Sequence, residues 1–527
     1  MSTPVARAVG HDLRLVPAAL TSWGVTAAGV LWGGAAATWG VASAVAVTFL
    51  VTRWWRGRQP DSAVFSPSLR SPEMWPGVLA VAVVGVGFAI SVTLRVQDVA
   101  AHPVARQVGA TVSVVVVAAE SPRTVAGGRL MFRGDLTAVD DRQSSGRVLI
   151  FASGVGYGEL TAGRPAAFRA RVGLPTRRDL TVAVLTAVSG AGQPTLGRAS
   201  LVQRIAARVR TAFADAARTA LPADQAAMLP ALVLGDTSTL PAPTVDEFKT
   251  AGLTHLTAVS GANVTIVCGA VLLTAAVVGP RVAVGMAAVA LAAFVVVVQP
   301  SPSVLRAAVM GAITLLAIVT HRRRQAIPAL SATVLILMIG APHLAVDIGF
   351  ALSASATAAL VVIAPVWSRR LVDRGWPKPL ADAVSVAVAA QLVTAPLVAG
   401  MSGTVSLVSV AANLAVALVI APITVIGTAA AAVSVVWPAA TQLLVRFTGP
   451  ELWWLLRVAR WASAVPGAVV PVPTGPAGAF CVAAAGLGSV IAWRWRWGRV
   501  GVTSAAVCLI AWAVSGAGPG TAAVGAT

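Results

Sequence analysis

An acid, an imidazole and a hydroxyl fall close together in the stretch "GDTSTLPAPTVDEFKTAGLTHLTAVSGANV": Asp236, His255 and Ser260. Those three residue types are the parts of a hydrolase triad, with Ser260 as the nucleophile. The spacing argues against that chemistry. No G-x-S-x-G elbow surrounds the serine. Ser260 and Gly261 stand directly before an apolar run, where a serine–glycine step serves as a helix N-cap or a kink. The five histidines are scattered singly, and Cys268, Cys481 and Cys508 lie in apolar runs without ligand spacing. A metal centre, a disulfide framework or any other cofactor is therefore not expected. No Walker A sequence is present, so an ATPase would have to be a separate subunit.

Polar side chains embedded in apolar runs are the second set of candidates, because each is costly in lipid unless it faces a cavity or a partner. Gln391 lies midway through "ADAVSVAVAAQLVTAPLVAG" and Asn413 lies within "SVAANLAVALVIAP". Pro396 and Pro422 follow them, and a proline in a spanning helix frees backbone carbonyls of the kind that line transport pathways. A hydrogen bond between helices is the plainer use of the two amides. Arg306 and Asp347 each begin an apolar run, "PSVLRAAVMG" and "DIGFALSASA". They are placed either to form an ion pair between helices or, for Arg306, to meet an incoming phosphate.

The elements that must position these residues are membrane spans. The chain has 527 residues, 57% of them hydrophobic and 11% charged, with a mean hydropathy of +0.82. Apolar runs of about 17 to 23 residues recur, each long enough to cross a bilayer as a helix. The reading is a polytopic α-helical membrane protein of about 11–13 spans. Spans are expected at 16–32, 34–51, 77–94, 263–279, 281–298, 304–320, 326–341, 348–366, 379–400, a Pro422-interrupted pair within 404–436, 476–493 and 499–515, with an amphipathic stretch near 450–465. Net charge is +20, with arginine blocks at 53–71, 321–325, 367–378 and 493–499. The positive-inside rule puts these blocks in the cytoplasm, with the N-terminus inside and the C-terminus outside.

Between 95 and 200 the apolar period drops to two in "TVSVVVVAAE", "RLMFRGDLTAVD", "GRVLIFASG", "AAFRARVGL" and "TVAVLTAVS". Five short strands of this kind point to a small β-barrel or sandwich on the outer side. That segment holds thirteen arginines against seven acids. The excess suits a polyanion as well as it suits a solvated surface; single-strand binders usually add stacking aromatics, and the segment has only Phe132, Phe151, Tyr157 and Phe168. Residues 201–220 place Val202, Ile205, Val209, Phe213 and Ala216 on one helical face, as in a helix lying in the membrane interface. The domain reading is a three-span start at 1–94, the β-rich insert at 95–200, interfacial helices and an outer vestibule at 201–262, a spanning channel domain at 263–515 and a short outer tail at 516–527.

The stretch "LGDTSTLPAPTVDEFKTAGLTHLTAVSGANVTIV" resembles the ComEC family of competence proteins, in which a G-D pair precedes a phenylalanine, a glycine and an H-L-x-A-[VI]-S-G segment. "PSVLRAAVMG", "DIGFALSASA", "AAQLVTAPLVAG" and "VSLVSVAANLAVALVIAP" resemble further family segments in the family's order, over roughly residues 220 to 515. The three-span start and β-rich insert are similar in architecture to the family's OB-like N-terminal region. The resemblance implies a channel, not an enzyme, that carries single-stranded transforming DNA across the cytoplasmic membrane. Gly235, Asp236, His255, Ser260, Gly261, Asn263, Arg306, Asp347, Gln391 and Asn413 would belong to its DNA path. Asn263 stands where many relatives have histidine. The partners implied are single-stranded DNA and membrane lipid, with a separate DNA receptor, nuclease and cytoplasmic ATPase, and a homo-oligomer is compatible. Many relatives end in a metallo-β-lactamase-like domain that this sequence lacks. A small-solute transporter and a membrane-embedded hydrolase are the competing classes.

Overall fold

The computed structural model describes residues 12–56, 74–153, 156–158, 160–188, 193–320, 325–493, 495 and 504. The span expected at 499–515, the tail at 516–527 and most residues of three arginine blocks lie outside the described residues; the block at 367–378 lies within them. In chain order the helices are α1 (Val16–Trp32), α2 (Gly34–Arg56), α3 (Met74–Ala101), α4 (Leu201–Ala220), α5 (Ala223–Leu234), α6 (Ala242–Thr250), α7 (Gly261–Ala275), α8 (Pro280–Val298) and α9 (Pro302–Val319). They continue with α10 (Ala326–Gly340), α11 (Ile348–Val362), α12 (Ala364–Val372), α13 (Lys378–Ser402), α14 (Ser409–Val433), α15 (Pro438–Phe447), α16 (Gly449–Ser463) and α17 (Pro476–Ala492). Eight of the described helical segments are long and apolar enough to cross a membrane, and α1, α5, α10 and α17 are shorter apolar helices. The protein is a polytopic α-helical membrane protein with a β-rich insert.

The chain forms two compact units, one of residues 1–204 with 299–351, the other of 205–298 with 352–527. In the first, α1 and α3 approach so closely that a Cβ at Gly29 would meet Val92 at 2.4 Å. The insert follows α3, which runs past the expected end at 94 to Ala101. Its strands are β1 (Thr111–Ala118), β2 (Arg123–Val125), β3 (Arg129–Val139), β4 (Arg142–Ala152), β5 (Pro165–Gly173), β6 (Ala183–Ala187) and β7 (Thr195–Leu196). All five expected strands are present, as β1, β3, β4, β5 and β6.

They pair in the order β1-β3-β4-β6-β5, and β5 returns to β1, so the barrel is closed with β4–β6 as its parallel pair. Alternation buries Val114, Val116, Phe132, Ile150, Ala170 and Leu185 inside. Asp140 and Asp141 adopt positive φ of 44° and 61° between β3 and β4, the backbone of a two-residue hairpin turn that matches strand twist. The topology is OB-like. The helical part of this unit is tied to it by named contacts. Gln299 accepts from Ser121 N–H at 3.2 Å and donates to the Ser121 hydroxyl at 2.8 Å. Trp23 Nε1 donates to the Ala345 carbonyl at 2.9 Å and its ring meets Phe350 edge-on at 5.2 Å.

In the second unit the pair of spans expected within 404–436 is replaced by a short strand, β8 (Thr404–Ser406), and one continuous helix, α14, with Pro422 inside it. A spanning helix tolerates the missing N–H where neighbours satisfy the freed carbonyl. The chain then turns back along α14 in two amphipathic pieces. Thr441 of α15 lies at Ala430, with its hydroxyl 3.5 Å from that carbonyl, and Trp454 of α16 donates to the Ala415 carbonyl at 2.8 Å. A last strand, β9 (Val469–Pro471), pairs antiparallel with β8. The amphipathic stretch near 450–465 is therefore the second half of an arm that returns along α14.

In helix α4 Phe213 and Ala216 are buried, but Val202 and Ile205 are exposed. That leaves its first turns with apolar side chains available to an interface.

Candidate functional site: a hydrogen-bonded polar cluster against the Gly252 turn

The site is built where α5, α6 and α7 are joined by polar, glycine-rich connections. Helix α5 ends at Gly235, whose φ of 72° is left-handed; its N–H bonds the Ala231 carbonyl at 3.0 Å and the next N–H, of Asp236, bonds Pro230 at 3.2 Å. Glycine suits that C-terminal position because a Cβ is strained there. A Cβ at Gly235 would also lie 3.2 Å from Val259, so the G-D end of α5 packs on the residue before Ser260. Asp236 Oδ1 accepts from the Ser238 N–H at 3.1 Å and its hydroxyl at 2.6 Å, a local turn that spends the carboxylate.

The start of α7 is fixed by a second link. Ser260 occupies the N-cap position, but its hydroxyl donates to Asn263 Oδ1 at 3.3 Å rather than accepting a backbone N–H. Asn263, 6% exposed, donates through Nδ2 to the Leu232 carbonyl at 3.1 Å. The two residues therefore clamp α7 to the last turn of α5. Among the described residues no hydrogen bond joins Asp236, His255 and Ser260, so the triad geometry is absent there.

The third link crosses to α13 and α14. Between α6 and His255 the chain turns at Gly252, with φ of +71°, and a Cβ there would lie 2.5 Å from the Ser409 side chain. Ser409 is the first residue of α14. Its hydroxyl donates to Gln391 Oε1 at 3.0 Å, while Asn413 Nδ2 donates to the Ser409 carbonyl at 2.8 Å and lies 3.3 Å from its hydroxyl. Just before α14, the Ser406 hydroxyl donates to the Thr250 carbonyl at 2.7 Å. The structure thus brings Gln391 and Asn413 together through Ser409, directly under the turn that carries His255.

His255 retains an exposed surface although protein surrounds it. Desolvation lowers its pKa below the usual value of 6.5, opposed by a hydrogen bond to the Gly252 backbone. Arg210 of α4 supplies positive charge nearby: Nη1 donates to the Val297 carbonyl at the end of α8 at 2.9 Å. Burial lowers its pKa and Asp236 opposes that shift. Its Nη2 is buried and, among the described residues, has no hydrogen-bond partner.

Arg306 and Asp347 belong to the other unit. Arg306 is buried in the first turns of α9, with Nη1 3.9 Å from the Met310 sulfur. Asp347 Oδ1 accepts the Phe350 N–H at 2.8 Å and caps α11. Among the described residues Asp347 makes no ion pair, so of the two readings for this pair the bridge to Arg306 is not formed there and Asp347 serves as a cap. In the barrel, Phe132, Tyr157 and Phe168 are core residues, and Phe151 is covered by the Arg129 guanidinium 5.4 Å from its centroid. Phe132, Tyr157 and Phe168 therefore offer no free face for a base.

Sequence reasoning missed Ser409 and Gly252. The available signal was spacing: Ser409 is one helical turn before Asn413 on the same face.

A family model described as competence protein matches residues 232–497, a run that contains every residue of the cluster. The chain belongs to the competence protein family. No curated protein and no solved structure matches it. The matched run extends from the last turn of α5 to just past α17, so the family's common part includes the α5–α7 connections, α13 and α14 together. Helices α1 to α3, the barrel and α4 precede it. The family fits a role in DNA uptake.

Proposed function

We propose that this competence protein imports single-stranded transforming DNA across the cytoplasmic membrane, along a path in its second unit that passes His255 and the Gln391–Ser409–Asn413 cluster. The observation that carries the reading is that cluster: three polar side chains hydrogen-bonded across two spanning helices, inside the matched family region and against the Gly252 turn. Polar groups held at membrane depth mark solute paths. Amides and hydroxyls suit a strand of any sequence, because they exchange hydrogen bonds without fixing a charge. The α5–α7 connections form the outer vestibule in this reading, with the N-terminus inside and the C-terminus outside. In this reading the exposed arginines of the barrel bind phosphates, and such contacts weaken with salt.

The strand reaches the vestibule from a separate receptor and nuclease, and a cytoplasmic ATPase draws it through. The test is delivery of labelled DNA to the cytoplasm of a naturally competent host. Deletion of the gene abolishes delivery and the intact protein restores it. Delivery that persists in the deletion strain removes the import role.

A further inference from the structure

Helix α16 carries an exposed column that the polar cluster does not use. Its inner face, Leu452, Leu455, Leu456, Val458 and Ala459, is buried. Its outer face presents Trp453, Arg457 and Trp461 at i, i+4 and i+8, with the two indoles 48% and 54% exposed. The Arg457 guanidinium carbon lies 5.7 Å from the Trp453 ring centroid and 5.2 Å from that of Trp461. Both rings hold it by cation–π attraction. Trp454 buttresses Trp461 edge-on at 6.1 Å while its own N–H is fixed on the Ala415 carbonyl. Arg460 is turned away toward Asp224 of α5, 4.0 Å distant. Among the described residues Arg457 makes no hydrogen bond or ion pair, so the donor edge of its guanidinium is available. Four residues of helix rise about 6 Å, so the column is about 12 Å long.

We propose that Trp453, Arg457 and Trp461 form a stacking ladder for the bases of a single nucleic-acid strand, with the Arg457 edge on its phosphodiester. This rests on the import reading above. The position favours it, because α16 runs back along a spanning helix and its Trp454 sits at Ala415, two residues beyond Asn413. The ladder therefore begins at the level of the polar cluster and continues toward β8 and β9. An arginine placed beside a spanning helix is costly against acyl chains and is kept where water or a polyanion reaches it. The ligand that supplies both flat π-faces and an oxyanion is a nucleic-acid strand, since stacking on aromatics combined with arginine cation–π contact is how strands are held without sequence preference. A phospholipid offers the oxyanion alone.

The test uses the full chain in nanodiscs of mixed phosphatidylcholine and phosphatidylglycerol, titrated with fluorescent oligothymidylate and with an abasic oligomer of the same length. The expected result is that the intact protein binds oligothymidylate about tenfold more tightly than the abasic strand. Trp453→Leu and Trp461→Leu each remove most of that preference, while the corresponding phenylalanine variants keep part of it. Arg457→Gln weakens both strands. Size-exclusion profiles identify any variant that has not folded, and the phenylalanine pair then carries the comparison. If the intact protein binds both strands equally, or the leucine variants keep the preference, the ladder is wrong and the import reading stands. If Arg457→Gln instead lowers co-purified phosphatidylglycerol and leaves strand binding unchanged, the face belongs to lipid. If no strand binds the intact protein, the import reading fails together with the ladder.

Discussion

Ser409 donates its hydroxyl proton to Gln391 Oε1 at 3.0 Å and so joins the start of α14 to the middle of α13. Asn413 closes on the same serine from one turn below, and the Gly252 turn presses on it from outside. One small side chain therefore meets three structural elements.

The Gly252 turn should not accept a side chain. Gly252→Ala places a Cβ on a backbone with φ of +71° and within 2.5 Å of Ser409. A residue held in that conformation costs about 1–3 kcal/mol before the clash is added. The expected outcome is a lower unfolding temperature of the solubilised protein, partly recovered in Gly252→Ala with Ser409→Gly, which relieves the clash and leaves the strained φ. A double variant no better than the single one would show that the contact with Ser409 is not what matters.

Asn263 holds α7 to α5 from a buried position, so its replacement is expected to be costlier than that of a surface amide. Asn263→Ala leaves the Leu232 carbonyl unpaired at about 1–3 kcal/mol. Asn263→Asp is predicted to be worse, because a carboxylate has no donor for that carbonyl and carries a buried charge. Thermal unfolding of the two variants side by side checks the order, and a more stable aspartate form contradicts the assignment.

His343, between α10 and α11, makes the first unit acid-sensitive. Burial and the positive side chains of Arg147, Arg133 and Arg95 hold its pKa down to about 3, with Asp179 opposing. Above pH 6.5 both folded and unfolded chains carry a neutral ring and the residue has no effect. Below that value the unfolded chain takes up a proton that the folded one refuses, so stability falls as pH drops, by about 1.4 kcal/mol per unit. His343→Asn is expected to flatten the fall in unfolding temperature between pH 6.5 and 5.5. Equal slopes in the two proteins would place the acid sensitivity elsewhere.

Replacing Asp236 should disturb structure more than chemistry. Its carboxylate serves Ser238 and faces Arg210. Asp236→Asn keeps an acceptor for Ser238 and is expected to support uptake at near the intact level, whereas Asp236→Ala loosens the end of α5. A serine-directed covalent probe should leave Ser260 unlabelled in both variants and in the intact chain. Labelling of Ser260 that depends on Asp236 would revive the hydrolase class.

The five barrel strands were readable because each is a short run rich in apolar and β-branched residues bounded by glycine, proline or aspartate turns. Strands β2 and β7 were not, since three and two residues carry no period. The break expected at Pro422 did not occur because a spanning helix can absorb a proline, a matter of neighbours that local sequence does not encode. Gln391 and Asn413 stood out as amides in apolar runs, but Ser409 did not, since a serine in a helix is cheap and common. Gly252 acquires meaning only from its positive φ and from what faces it.

The central claim is that the strand passes the cluster that Ser409 organises. The most direct measurement is delivery of labelled DNA to the cytoplasm of a competent deletion strain carrying either the intact protein or Asn413→Leu, at matched amounts in the membrane. The account predicts at least a tenfold loss with Asn413→Leu and substantial recovery with Asn413→Gln, which restores an amide. Delivery by the leucine variant at the intact level would contradict it.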